Sequence, residues 1–174
     1  LRALAAQNRY QEAIWYAREN SLPGVASDLE TYVATYLEQA PIKGARPLGG
    51  GVTETYEITL QDGTRGVFKP AVQQGALANS ANNTGHEIAA HRFDRLLGTD
   101  LVPVTVERTI DGRKGSFQLF MGNSPTAEAL GSGGTDRRLQ LFDFLTDNRD
   151  RHAGNYLLMQ AQGGRLSLIH ISEP

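Results

Sequence analysis

The 174-residue sequence contains no cysteine, which excludes a disulfide framework and any thiolate metal site. A cysteine-free chain suits a reducing compartment, so the cytoplasm is the expected location. Net charge is −2, and no basic field marks a nucleic-acid partner. No apolar run approaches the ~20 residues that a membrane-spanning helix needs. No charged, apolar, small-residue succession at the N-terminus marks a secretory leader. Residue 1 is Leu rather than Met, so that last absence does not bear on export.

What remains is ordinary globular material, 40% hydrophobic and 21% charged, of a length that suits one domain. Residues 1–40 read as two helices. Tyr10, Ala13, Ile14 and Ala17 share one face of the first, and Leu29, Tyr32, Val33, Tyr36 and Leu37 one face of the second. Ser27-x-x-Glu30 has the form of a capping box for the second, and Leu22-Pro23-Gly24 separates the two. Residues 1–45 are therefore expected to form a helical extension with no chemistry of its own.

Pro41–Pro47 reads as a connector, followed by Gly49-Gly50-Gly51. Tyr56, Ile58 and Leu60 then alternate as in a strand, Asp62-Gly63 is a hairpin signal, and Arg65–Lys69 is the return strand. Glycines at the mouth of a hairpin let backbone N–H groups approach a phosphate, though a plain turn explains them equally. Lys69 ends the apolar stretch Gly66-Val67-Phe68 just after this hairpin, where a phosphate-pairing lysine belongs; the plainer role is a solvent-facing lysine at a strand end.

Residues 71–83 read as a loop. Thr84 can cap a helix carrying Ala89, Phe93, Leu96 and Leu97 at helical spacing, stopped by Gly98. Glu87 in its first turn complements the helix dipole and is also the candidate partner of Lys69. His86 and His91 read as surface residues. A second hairpin, Val104–Ile110 and Gly115–Met121, turns at Asp111-Gly112. Phe120 and Met121 end its second strand, and core packing is the plain reading of both. Thr135 caps a further helix to about Thr146.

That helix delivers the chain to Asp150-Arg151-His152-Ala153-Gly154-Asn155, a dense polar cluster between an apolar helix and the apolar strand Tyr156–Met159. A carboxylate and an amide a short loop apart suit phosphoryl transfer, one orienting a hydroxyl and the other holding a metal; a polar helix end with a glycine turn is the plainer reading.

Asp150-Arg151-His152-x-x-Asn155 resembles the catalytic loop of the atypical kinases, the phosphatidylinositol 3-/4-kinase-like group and the related secretory-pathway protein kinases. Gly66-Val67-Phe68-Lys69-Pro70 is similar to the lysine strand of the same group, and the resemblance covers roughly residues 46–165. It implies an α+β fold, with an antiparallel nucleotide lobe carrying one helix and the start of a mostly helical C-terminal lobe. It also implies ATP and Mg²⁺ or Mn²⁺ as cofactors. Gly49, Gly50 and Gly51 would cover the phosphates, Lys69 would neutralise them, Glu87 would hold Lys69, and Met121 would meet the adenine. Asp150 would orient the acceptor hydroxyl, His152 and Arg151 would stand near the γ-phosphate, and Asn155 would bind one metal.

The acceptor, a hydroxyl on a lipid, a protein or a small molecule, is not encoded. A nucleotide-binding pseudokinase and a non-catalytic binding module are the alternatives. The resembled family carries a metal-binding aspartate at the end of the strand after Asn155, and here His170 stands in its place. Residues 166–174 also read as one frame of a sequencing-adapter end. Native sequence is therefore expected to stop near Arg165, leaving an inactive chain with apolar faces of the Thr135–Thr146 helix exposed.

Overall fold

A computed structural model of the chain describes residues 1–48, 54–71, 84–121, 137–146, 156–160 and 166–170. In order these form α1 (Arg2–Ala5), α2 (Tyr10–Glu19), α3 (Pro23–Gln39), β1 (Ile42–Leu48), β2 (Thr55–Leu60) and β3 (Arg65–Pro70). There follow α4 (Thr84–Leu97), β4 (Thr105–Ile110), β5 (Arg113–Leu119), α5 (Arg137–Thr146), β6 (Tyr156–Gln160) and β7 (Leu166–His170). The architecture is α+β, as the sequence implies. The chain divides into two compact units, residues 1–88 with 104–120, and residues 89–103 with 121–174.

The first unit is built on a five-stranded antiparallel sheet of order β1-β2-β3-β5-β4. Its two hairpins turn where the sequence signals them. Gly63 has φ +89°, and both Asp62 carboxylate oxygens accept from Thr64, from its N–H at 2.9 Å and its hydroxyl at 2.8 Å. Asp111 and Gly112 have φ of 51° and 75°, the paired left-handed conformation that closes a two-residue hairpin.

Strand register gives the sheet two unlike faces. Tyr56 pairs with Phe68, Phe68 with Phe117 and Phe117 with Val106, so these side chains share one face. Ile14, Ala17, Val33 and Leu37 of α2 and α3 join Ile58, Leu60, Phe68 and Phe117 in one buried core. Burying each large side chain contributes about 1.5–3 kcal/mol. Two glycines let the aromatics lie flat: a Cβ on Gly66 would stand 2.2 Å from the Phe117 ring, and one on Gly115 would stand 2.3 Å from the Lys69 carbonyl oxygen and 2.7 Å from the Phe68 ring. On the other face Glu57 pairs with Val67, Val67 with Gln118, Lys69 with Ser116 and Gln118 with Thr105. That face is polar.

Arg108 on β4 ties the helices to the sheet. Its guanidinium donates to the carbonyls of Leu37 and Ala40, each at 2.5 Å, at the C-terminal end of α3. Such carbonyls have no partner within the helix, and burial pushes the Arg108 pKa down. Arg108→Met, which keeps the stem and removes the donors, is expected to cost about 2 kcal/mol in urea unfolding; an unchanged midpoint would remove this role.

The structure corrects several sequence expectations. The second helix begins not at the Ser27 capping box but at Pro23, which occupies the first turn after Leu22 with no side-chain cap. Proline has no N–H to satisfy and its fixed φ suits a helix start; Glu30 instead pairs with Arg18 of α2. The Pro41–Pro47 connector is a strand: β1 pairs with β2 from Ile42↔Leu60 to Leu48↔Thr55. It is an edge strand whose middle residues are exposed, so it shows no apolar alternation, and Pro47 is tolerated there. His91 is 8% exposed rather than on the surface, while Leu96, counted on the buried face, is 81% exposed.

In the second unit Leu101, Val102, Leu139 and Phe142 form a core joined by Ala90, Phe93 and Leu97. Asp94 is fully buried and organises the chain after α4. Its Oδ1 accepts from the Thr99 hydroxyl at 2.5 Å and the Leu101 N–H at 2.9 Å, and Oδ2 accepts from the Val102 N–H at 3.2 Å. Burial raises its pKa against the pull of these bonds. Gly98, at φ +64°, ends α4 as expected. On α5, Leu139 and Phe142 are buried while Leu141, Phe144 and Leu145 are exposed. β6 and β7 pair antiparallel, with Tyr156 opposite His170.

Candidate active site

Lys69 projects from the polar face of the sheet. Its Nζ lies 2.8 Å from Glu87 Oε1, with each side chain 15% exposed. Glu87 is in the first turn of α4. A carboxylate there is favoured by the partial positive charge of the helix N-terminus. Its other oxygen, Oε2, accepts a hydrogen bond from the Ser116 hydroxyl. Ser116 is fully buried on β5, directly opposite Lys69. An ammonium is thus held by a carboxylate that is itself held by the adjacent strand.

The same face continues through Val67 to a second charged group. Glu57 is 4% exposed, with Oε2 at 2.7 Å from Arg46 and Oε1 at 3.5 Å from Arg65. The hydrogen bond from Arg46 holds its pKa below the ordinary carboxylate range, with help from Arg65 and against burial. The Arg65 guanidinium lies 4.6 Å over the Phe120 ring. The Phe120 N–H donates to the Arg65 carbonyl at 2.9 Å, continuing the ladder past β5. Gln118 Nε2 donates to the Thr105 hydroxyl at 2.9 Å.

Of the residues nominated from sequence, Lys69 and Glu87 are brought together, and Met121 is 8% exposed. Gly49, Gly50, Gly51, Asp150, Arg151, His152 and Asn155 lie outside the described residues. Among the described residues no cluster of three or more His, Asp or Glu is placed to hold a metal ion, and no helix is long and apolar enough to cross a membrane. Sequence reasoning missed Ser116 and the Glu57–Arg65–Phe120 group. A serine flanked by Gly115 and Phe117 carries no motif, and only the strand register reveals that it faces Lys69.

No protein-family profile matches the chain. Over 67 residues it is 37% identical to phosphatidylinositol 4-kinase gamma 2 of Arabidopsis thaliana, a match covering 36% of this chain and 12% of that protein. Its structure is similar to the crystal structure of the Golgi casein kinase with Mn/ADP bound, with a TM-score of 0.63 and 15% identity over 84% of this chain and 57% of that one. A second crystal structure of the Golgi casein kinase gives a TM-score of 0.62 and 15% identity, covering 56% of its chain. The chain thus spans little more than half the length of the kinase it resembles in fold. With a five-stranded antiparallel sheet that takes α4 between β3 and β4, it carries a kinase-like fold.

Proposed function

We propose that the chain is the nucleotide lobe and the beginning of the C-terminal lobe of an ATP-dependent phosphotransferase acting on a hydroxyl acceptor, in a cytoplasmic setting. The observation that carries this is the Lys69–Glu87 ion pair on the polar face of the sheet. A lysine in that position offers a cation to nucleotide phosphates, and a carboxylate at its back keeps the ammonium extended and charged. The donor set therefore fits a nucleoside triphosphate. Gly49–Gly51 would cover the phosphates with backbone N–H groups, and Met121 with Phe120 would meet the base.

Asp150 would accept or orient the acceptor hydroxyl proton, while Arg151 and His152 would face the charge that develops on the γ-phosphoryl group. Asn155 would hold a divalent cation, which when bound supplies charge neutralisation at the phosphates. The acceptor is a lipid, protein or small-molecule hydroxyl. The alternative reading is a nucleotide-binding pseudokinase.

The test is a thermal-shift titration with ATP and Mg²⁺. Saturating nucleotide at about 100 times Kd is expected to add about 2.7 kcal/mol of stability, and Lys69→Ala is expected to weaken affinity at least about tenfold. No shift with wild-type chain would favour the non-catalytic binding module. A shift without phosphoryl transfer in a full-length version would favour the pseudokinase.

A further inference from the structure

We propose that Ser116 is a positioning residue for nucleotide binding, acting through Glu87 on Lys69; this rests on the nucleotide reading above. The geometry is a relay across three elements. Lys69 on β3 reaches Glu87 Oε1, and Ser116 on β5 reaches Glu87 Oε2. One carboxylate is thereby gripped from two neighbouring strands at residues directly paired in the ladder.

The two grips differ in kind. Lys69 is an ammonium with three donors on a flexible stem, and phosphates would compete with Glu87 for them. The Ser116 hydroxyl is fully buried on a short side chain. It has one rotatable bond to its oxygen and no access to a soluble ligand. Its hydrogen bond to Glu87 therefore persists when Lys69 turns toward phosphate, and it keeps Oε1 aimed at the ammonium. Without it Glu87 Oε2 loses this buried donor, and the carboxylate holds Lys69 in a less fixed direction. Position 116 also cannot drift. Neighbouring Gly115 packs so tightly on the Lys69 carbonyl that a Cβ there would lie 2.3 Å from it, so the two strands are locked at this point.

The experiment is a double-mutant cycle read by affinity for ATP with Mg²⁺ in isothermal titration, with circular dichroism confirming the fold of each variant. Ser116→Ala is expected to weaken binding about tenfold, as loss of a hydrogen bond to a charged group does. In a Glu87→Gln background the same change is expected to have less than about a twofold further effect, because both act on one group. Ser116→Thr, which retains the hydroxyl, is expected to restore most of the affinity. Wild-type affinity in Ser116→Ala, or an undiminished loss in the Glu87→Gln background, would overturn the role of Ser116 and leave the nucleotide reading standing. Absence of binding by the wild-type chain would overturn both.

Discussion

In a full-length version, Asp150→Ala is expected to lower phosphoryl transfer by at least about a hundredfold while leaving affinity for ATP and Mg²⁺ within about twofold of wild type. The asymmetry follows from what each group touches. Asp150 is assigned to the acceptor hydroxyl, so its carboxylate matters when the attacking oxygen is oriented and deprotonated. Lys69 is assigned to the nucleotide, so Lys69→Ala is expected to depress binding and transfer together. Radiolabel transfer from the γ-phosphate measures the first quantity, and calorimetric titration the second. Transfer by Asp150→Ala at the wild-type rate would remove Asp150 from the chemistry. A parallel collapse of binding would move it to the nucleotide site.

The second large effect is on stability. Asp94→Ala is expected to cost about 3–5 kcal/mol in the unit that contains it. Alanine leaves the Thr99 hydroxyl and the Leu101 and Val102 N–H groups without the acceptor they now use. Leu101 and Val102 are themselves fully buried in the second core, so water does not replace that acceptor cheaply. Hydrogen exchange is the direct reading, with the Leu101 and Val102 amides expected to lose most of their protection. Asp94→Asn, which keeps one carbonyl oxygen, is expected to fall between wild type and alanine. Unchanged protection in Asp94→Ala would show that the turn from Thr99 to Val102 holds without it.

The hairpins were legible because their turns are chemical: Asp111-Gly112 takes the left-handed backbone at both residues, and Asp62-Gly63 takes it at the glycine while the aspartate accepts from Thr64. Lys69 and Glu87 were legible because their order along the chain matches a recognised arrangement, and the fold brings their charged ends together. β1 was not legible, because an edge strand with five exposed residues in its middle has no pattern to betray it. Nor was the true inner stripe of α4. Apolar spacing pointed to Leu96, yet Asp94 and His91 are buried and Leu96 is exposed. Asp94 is buried there by hydrogen bonds from Thr99, Leu101 and Val102 in the turn just past the helix, which periodicity does not register. Ser116 was invisible for the same reason, since its meaning depends on which residue of β3 lies across from it.

Gly66 and Gly115 sit beneath Phe117 and Phe68 on the helix-facing side of the sheet, opposite to the face from which the Lys69 side chain projects. A slip of β5 along β3 would drive those rings into side chains, so the glycines admit one alignment of the two strands. That alignment sets Ser116 against Lys69. Anyone redesigning the polar face for a different ligand can exchange its charged groups one by one. The geometry being redesigned is nonetheless dictated from behind, by two residues with no side chain and two rings that never meet the ligand.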